Sequence, residues 1–252
     1  LPRGIQAKMQ LLCFFYIRGK MQLLRLEKEN MIVQKDAVKE LLGMGLPMGF
    51  QFSITAIGSM VMQAANNGLG SIYVSAFTAA MRIKQFLLCP FDGTAASVFC
   101  SQNLGARQAD RIKKGALEAT IAGCIYGFSA GLILIFFGRP LSMIFLSKNA
   151  TAVLDASAKY LRCLGFFFGI LGILNVCRMV TQGLGYSGRA IFSGVMEMIG
   201  RVIVSVGFVG TMGYTAICFA DQAAWIAASC YIGPTCIWCI RRSIKLLEGK
   251  QA

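Results

Sequence analysis

Six stretches of this 252-residue chain are apolar over about 20 residues or more, the length that an α-helix needs to cross a bilayer. They lie at residues 43–66, 72–100, 117–137, 153–183, 190–212 and 217–240. Hydrophobic residues make up 56% of the chain and charged residues only 14%, whereas soluble domains carry roughly 25% charged residues. The sequence therefore predicts an all-α polytopic membrane helix bundle with six transmembrane helices, surrounded by the lipid bilayer.

The apolar runs divide the chain into three parts. Residues 43–240 contain the six predicted transmembrane helices. Residues 1–42 include a shorter apolar run at 9–17, which is too short to cross a bilayer. We expect this run to be the remnant of a preceding transmembrane helix, or else an interfacial segment, followed by a cytoplasmic linker. Residues 241–252 are predicted to form a basic cytoplasmic tail. Because the sequence begins with Leu1 and not with Met, a truncated reading frame is expected.

Lys and Arg residues are concentrated in alternate loops between the apolar runs. The chain carries 25 Lys and Arg against 11 Asp and Glu, and its formal net charge is +14. Most of these bases flank the runs on one side, while the opposite loops are nearly free of them. Since Lys and Arg accumulate on the cytoplasmic side, we predict a multi-pass protein of the cell membrane with both termini cytoplasmic. No nucleic-acid partner is expected.

The residue types that most enzymes use are missing or isolated. The chain has no His, and its ten Cys lie mostly in apolar runs, where a thiol behaves as a small hydrophobe. Cys236 and Cys239 form a CxxC motif without a second pair, so no metal site is expected. Residues 183–188 (GLGYSG) match a dinucleotide-binding pattern, but no strand precedes them. We predict that the chain is not an enzyme and holds no cofactor.

Two opposite charges inside the fifth apolar run define the first candidate site. Glu197 and Arg201 are four residues apart, so they lie on one face of a helix and can form an ion pair. Charged groups at membrane depth are costly and usually face a cavity or a partner. Two interpretations stay open: a structural pair whose charges neutralise each other, or a proton- or ion-responsive switch whose partner changes between states.

Further polar side chains lie on single faces of the other predicted helices. Arg82 and Lys84 project about 200° apart on a helix with 3.6 residues per turn, so both cannot face lipid. The other candidates are Gln51, Asp92, Asn175, Arg178 and Gln182. Together these residues predict a pathway for a solute. Hydrogen bonding between helices is the alternative interpretation.

Four motifs occur in a characteristic order along the chain. They are residues 45–52 (GLPMGFQF), residues 101–107 (SQNLGAR) followed by Arg111, Arg178 followed by residues 182–187 (QGLGYS), and Glu197 with Arg201. Over about residues 10–245, this order and spacing resemble the C-terminal lobe, helices seven to twelve, of the multidrug and toxic compound extrusion (MATE) transporters.

The resemblance implies a transporter of twelve helices in two pseudo-symmetric lobes, of which this chain supplies one. Such proteins are secondary active antiporters that export small cationic amphipathic compounds in exchange for H⁺ or Na⁺ by alternating access. The implied partner is the missing N-terminal lobe, in the same parent chain or in trans. In some branches of the family the ion-binding acids lie in the first and fourth helices of this lobe. Here Gln51 stands in the first helix and the core of the fourth has no acid, which leaves Asp92, Glu197 and any acid of the missing lobe as candidate coupling groups.

Two alternatives to an antiporter follow from the same residues. A lipid-linked oligosaccharide flippase of related fold would need a cationic cavity for its anionic lipid carrier, and the chain offers Arg82, Lys84, Arg178 and Arg201. A non-transporting, truncated half-transporter is the other alternative.

Overall fold

The computed structural model describes residues 3–20, 34–92 and 95–249, and all regular secondary structure in these ranges is helical. The helices of the described part are α1 (Arg3–Lys20), α2 (Lys35–Asn67), α3 (Ser71–Asp92), α4 (Ala96–Gly105), α5 (Ala109–Ser142), α6 (Thr151–Gly183), α7 (Ser187–Gly207), α8 (Val209–Met212) and α9 (Tyr214–Glu248). The predicted all-α fold is confirmed. Contacts between residues divide the chain into two compact units, Leu1–Gly43 and Met44–Ala252. Helices α3 to α9 belong to the second unit.

Five of the described helices are long and apolar enough to cross a membrane: α2, α5, α6, α7 and α9. Helix α3 has 22 residues but carries Arg82 and Lys84 near its centre, which lowers its mean hydropathy. The expected continuous span at 72–100 is wrong, because α3 ends at Asp92 and α4 begins at Ala96. Pro90 has no backbone N–H to donate, and Gly93 has a low helix propensity. The sequence of this segment therefore disfavours a continuous helix.

Two further helix ends do not coincide with the ends of the predicted spans. The run 190–212 is divided between α7, which ends at Gly207, and the four-residue α8. Helix α9 continues past residue 240 to Glu248, so most of the predicted basic tail is helical. The glycine-rich segment 183–188 forms the turn between α6 and α7, where Gly185 adopts a positive φ of 87° that favours glycine.

Helix α6 lies at the centre of the second unit, since α3, α4, α5, α7 and α9 all pack against it. Its contact with α5 is a close one. A Cβ atom on Gly127 would lie 2.8 Å from the carbonyl oxygen of Phe168, and one on Gly172 would lie 2.5 Å from that of Gly123. Small residues at these positions therefore allow the two backbones to approach, as is common between membrane helices.

The core and the surface of the second unit are both apolar. Phe168 and Trp225 meet edge to face with ring centroids 6.2 Å apart, and Phe77 and Tyr160 do so at 5.2 Å, which joins α3, α6 and α9. Outside, large apolar side chains are widely exposed, for example Phe86 at 80%. Exposed apolar side chains of this kind are favourable in contact with lipid and unfavourable in contact with water.

Candidate functional site: a buried network of charged residues

Five charged side chains are buried together inside this apolar bundle, and we call them the charge network. They are Lys84 on α3, Arg178 on α6, Glu197 and Arg201 on α7, and Asp221 on α9. The network contains three cations and two carboxylates, so its net charge is positive. It links four helices, α3, α6, α7 and α9.

The members of the charge network form an alternating chain of ion pairs. Lys84 Nζ lies 2.6 Å from Asp221 Oδ2, and Arg201 Nε lies 2.7 Å from Asp221 Oδ1. Arg201 Nη2 then lies 2.7 Å from Glu197 Oε1, whose second oxygen, Oε2, is 2.8 Å from Arg178 Nη2. Each carboxylate therefore pairs with two cations, one on each of its oxygens.

Uncharged groups complete the hydrogen bonding of the network. Tyr160 on α6 donates its hydroxyl to Asp221 Oδ2 at 2.6 Å. The guanidinium of Arg178 donates from Nε to Ser193 Oγ at 3.1 Å, and that of Arg201 donates from Nη1 to the backbone oxygen of Thr55 at 3.3 Å. The last bond also ties α2 to the network.

The network lies deep within the span. Glu197 is ten residues from each end of α7, Ser187 and Gly207, which places it about 15 Å from either end of that helix. Removing charges from water costs several kcal/mol for each ion, and their attraction compensates only where geometry is good and the remaining lone pairs are satisfied. Alternating signs and bonds to both oxygens of each carboxylate meet these conditions here.

The predicted candidates are placed as follows. The expected pair between Glu197 and Arg201 is present, and Arg178 and Lys84 join it. Gln182 donates its side-chain amide to Gln51 Oε1 at 2.8 Å, and both residues are buried. Because Gln182 follows Arg178 by one helical turn, this amide pair extends the polar stripe beyond the charges.

Other candidates lie apart from the network. Arg82 lines a separate groove on α3, in which Phe86, Leu141 and Phe145 are its apolar neighbours. Asn175 donates its amide to the backbone oxygen of Leu171 in its own helix at 3.2 Å. The Asp92 side chain lies outside the described part of the chain. In the part that is described, no three His, Cys, Asp or Glu side chains come together to hold a metal ion.

Asp221 is the principal group that the sequence analysis missed. It lies five residues into the predicted sixth span, 217–240, and is completely buried. The rule that identified Glu197, an acid within an apolar run, applies equally to Asp221 and identifies it as well. Tyr160 carries no such signal, because tyrosines are common in membrane helices and only the folded structure brings this one to Asp221.

The fold and the charge network define a polytopic α-helical membrane protein with charged residues in its interior. The family model MatE matches residues 47–206, which is more than half of the chain. The chain therefore belongs to the MATE family of transporters, in agreement with the predicted resemblance.

One curated protein and one solved structure that are similar to this chain carry multidrug resistance names. The probable multidrug resistance protein YpnP of Bacillus subtilis (strain 168) is 25% identical over 147 residues, which is 58% of this chain and 33% of that protein. An outward-facing multidrug resistance MATE family transporter of the MOP superfamily superposes with a TM-score of 0.83 at 17% identity, covering 96% of this chain and 54% of that one.

A second solved structure shares the fold but is described differently. It is a MOP superfamily transporter from Pyrococcus furiosus, for which reverse polarity of the binding pocket is said to suggest a different function. Its TM-score is 0.74 at 16% identity, covering 96% of this chain and 55% of that one. This chain thus spans about a third of the length of the curated relative and about half of the solved transporters.

Proposed function

We propose that this chain is the C-terminal lobe of a secondary active multidrug efflux antiporter, which exports cationic amphipathic compounds in exchange for H⁺ or Na⁺. Membership of the MATE family and the multidrug resistance name of the Bacillus relative support this proposal. The lobe acts together with an N-terminal lobe, in the same parent chain or in trans, in the cell membrane and with both termini cytoplasmic. It is not an enzyme and needs no cofactor besides the coupling ion.

The observation that carries the proposal is the arrangement of the charge network across helices. Each carboxylate has two cationic partners on different helices, apart from the pair within α7. If Glu197 separates from Arg201, it still keeps Arg178, and no carboxylate is left unpaired. Pairs can therefore exchange at lower cost than in an isolated buried ion pair. Such exchange is what a lobe needs if its helices shift between two states.

An arriving ion acts on the carboxylates of this network. A proton on Glu197 removes the negative charge that holds Arg178 and Arg201 together, and repulsion between the two guanidinium groups then favours separation of α6 from α7. A sodium ion competes for the same oxygens with a similar result. A cationic substrate competes for these carboxylates too, so ion and substrate bind alternately, as antiport requires.

The proposal is tested with proteoliposomes that contain both lobes. Efflux of a cationic dye is measured with an imposed pH gradient and, separately, with an imposed Na⁺ gradient. We expect one of the gradients to drive efflux, and Glu197→Gln to abolish or strongly reduce it. Arg82→Gln is the matched control, because Arg82 is charged but lies outside the network. Wild-type efflux by Glu197→Gln at equal membrane abundance would remove Glu197 from coupling.

The positive net charge of the network favours a second candidate, a flippase for a lipid-linked oligosaccharide. Three cations against two carboxylates suit an anionic carrier. The two functions are separated by assaying dye efflux and rescue of a flippase-deficient strain with the same two-lobe protein. Rescue without dye efflux would support the flippase and contradict the antiporter.

A further inference from the structure

An exposed basic groove lies at the end of α9, far from the charge network. It has a volume of about 430 Å³ and is lined by Trp238, Arg241, Arg242, Lys245 and Leu246. Three cations and two apolar side chains thus share one surface depression. This combination suits a ligand with an anionic head and an apolar body.

A single indole ring holds two arginines at the edge of this groove. The guanidinium carbon of Arg189, at the start of α7, lies 3.7 Å from the centre of the Trp238 ring. That of Arg242 lies 5.0 Å from the same ring. Tyr186 meets the indole edge to face at 5.8 Å. The cation–π contacts pre-position both guanidinium groups and leave their N–H donors available to an oxyanion.

The cations of the groove have no ion-pair partner in the part of the chain that the structure describes. Among the described residues, none of Arg189, Arg241, Arg242 and Lys245 takes part in an ion pair. Four clustered positive charges that form no ion pair within the described ranges repel one another, and a bound anion relieves that repulsion. The groove therefore offers positive charge that complements a bound phosphate group.

The position of the groove selects the source of that phosphate. The groove lies at the end of a membrane helix, on the side that the distribution of Lys and Arg predicts to be cytoplasmic, and Trp is typical of the headgroup level. Leu246, which is 53% exposed, offers an apolar surface beside the cations. We infer that the groove binds the phosphate headgroup of an anionic phospholipid of the cytoplasmic leaflet, because basic pockets at this level recognise such headgroups.

Each cation removed from the groove should weaken the binding of the anionic lipid by a defined factor. A basic residue near an anionic membrane surface contributes about 1 kcal/mol, so Arg242→Gln should weaken binding about fivefold. Arg189→Gln should do the same from a different helix. Arg242→Lys keeps the charge and should retain most of the affinity. Arg111→Gln is the matched control: Arg111 is a loop-side arginine next to an aromatic ring, 5.9 Å from that of Phe99, but lies outside the groove.

The experiment measures retained lipid by native mass spectrometry. The purified full chain is exchanged into detergent with phosphatidylglycerol, with phosphatidylcholine, or with inorganic phosphate alone. We expect one phosphatidylglycerol to be retained preferentially, and Arg242→Gln and Arg189→Gln to reduce its retention about fivefold each, while Arg111→Gln changes it little. Equal losses in all three variants would reduce the effect to general surface charge and overturn the inference.

The measurements with inorganic phosphate and with phosphatidylcholine test whether the retained ligand must be an anionic lipid. Saturation by inorganic phosphate alone, or equal retention of phosphatidylcholine, would contradict an anionic lipid site. Each variant is compared with wild type by size-exclusion chromatography, and because Arg189 and Arg242 are exposed, we expect unchanged profiles. If one glutamine variant fails to fold, the variant at the other arginine decides. The readout needs no transport, so its failure is distinct from failure of the proposed antiport.

Discussion

The order of charges in the network predicts that two paired members, Glu197 and Arg178, respond very differently to substitution. Glu197→Gln leaves three cations facing one carboxylate and deprives Arg178 of its ion-pair partner. Arg178→Met leaves two cations and two carboxylates, and Glu197 keeps Arg201 at 2.7 Å. The glutamine variant should therefore be much the less stable, although each substitution breaks the same contact between Arg178 and Glu197.

The magnitudes follow from the contacts. Breaking a buried pair by removing one partner costs about 3–5 kcal/mol, and we expect about 3 for Glu197→Gln, since the amide still accepts a hydrogen bond. Arg178→Met loses one charge-assisted bond and relieves a desolvated charge, so about 1–2 kcal/mol is expected. In the double variant no guanidinium lacks a carboxylate, because Arg201 still has Asp221. Its loss should be smaller than the sum of the single losses by about 2 kcal/mol.

The assay is reversible unfolding by sodium dodecyl sulfate in mixed micelles, followed for wild type, both single variants and the double variant. Arg82→Met is the matched control, because it removes a cation at similar depth that has no place in the network, and its change in unfolding free energy should stay below about 1 kcal/mol. Additive losses in the double variant, or an Arg178→Met variant less stable than Glu197→Gln, would refute the alternating arrangement of charges.

Three further predictions concern packing and the second carboxylate. Gly127→Ala should reduce the yield of monodisperse protein, because the added Cβ would lie 2.8 Å from the Phe168 oxygen, whereas Gly45→Ala, with nothing within 4 Å, should not. Asp221→Asn should lower the unfolding free energy more than Glu197→Gln, since it disrupts contacts to two cations and a hydroxyl. Tyr160→Phe should cost about 1.5–3 kcal/mol in the same assay, because it removes one hydrogen bond to a charged group.

Hydropathy alone predicted the fold class, because the cost of exposing apolar residues to water and polar backbone to lipid leaves few structures available. Hydropathy did not predict where the helices end within the apolar runs. The expected span at 72–100 is divided near Pro90, and the run 190–212 ends early at Gly207. Such helix ends depend on the hydrogen bonding of single residues, which hydropathy averaged over about 20 residues does not describe.

The candidate site was partly predictable for a similar reason. The pair of Glu197 and Arg201 follows from a spacing of four residues on one helix. The pair of Lys84 and Asp221 joins residues 137 positions apart, and no local pattern connects them. Lys84 was predicted to be a candidate beside Arg82, but only the packing of α3 shows that Lys84 points into the bundle and Arg82 into a groove.

A cryo-electron microscopy map of the protein in lipid nanodiscs would show whether the five charges of the network are buried in alternating order. The measurement is the position of the five charged side chains relative to the lipid. We expect the Arg201 guanidinium to lie between Glu197 and Asp221, within about 3 Å of both carboxylates. Lys84 and Arg178 should lie at the two ends of the chain of pairs. Side chains that instead extend outward to the headgroups, around a sealed apolar centre, would contradict it.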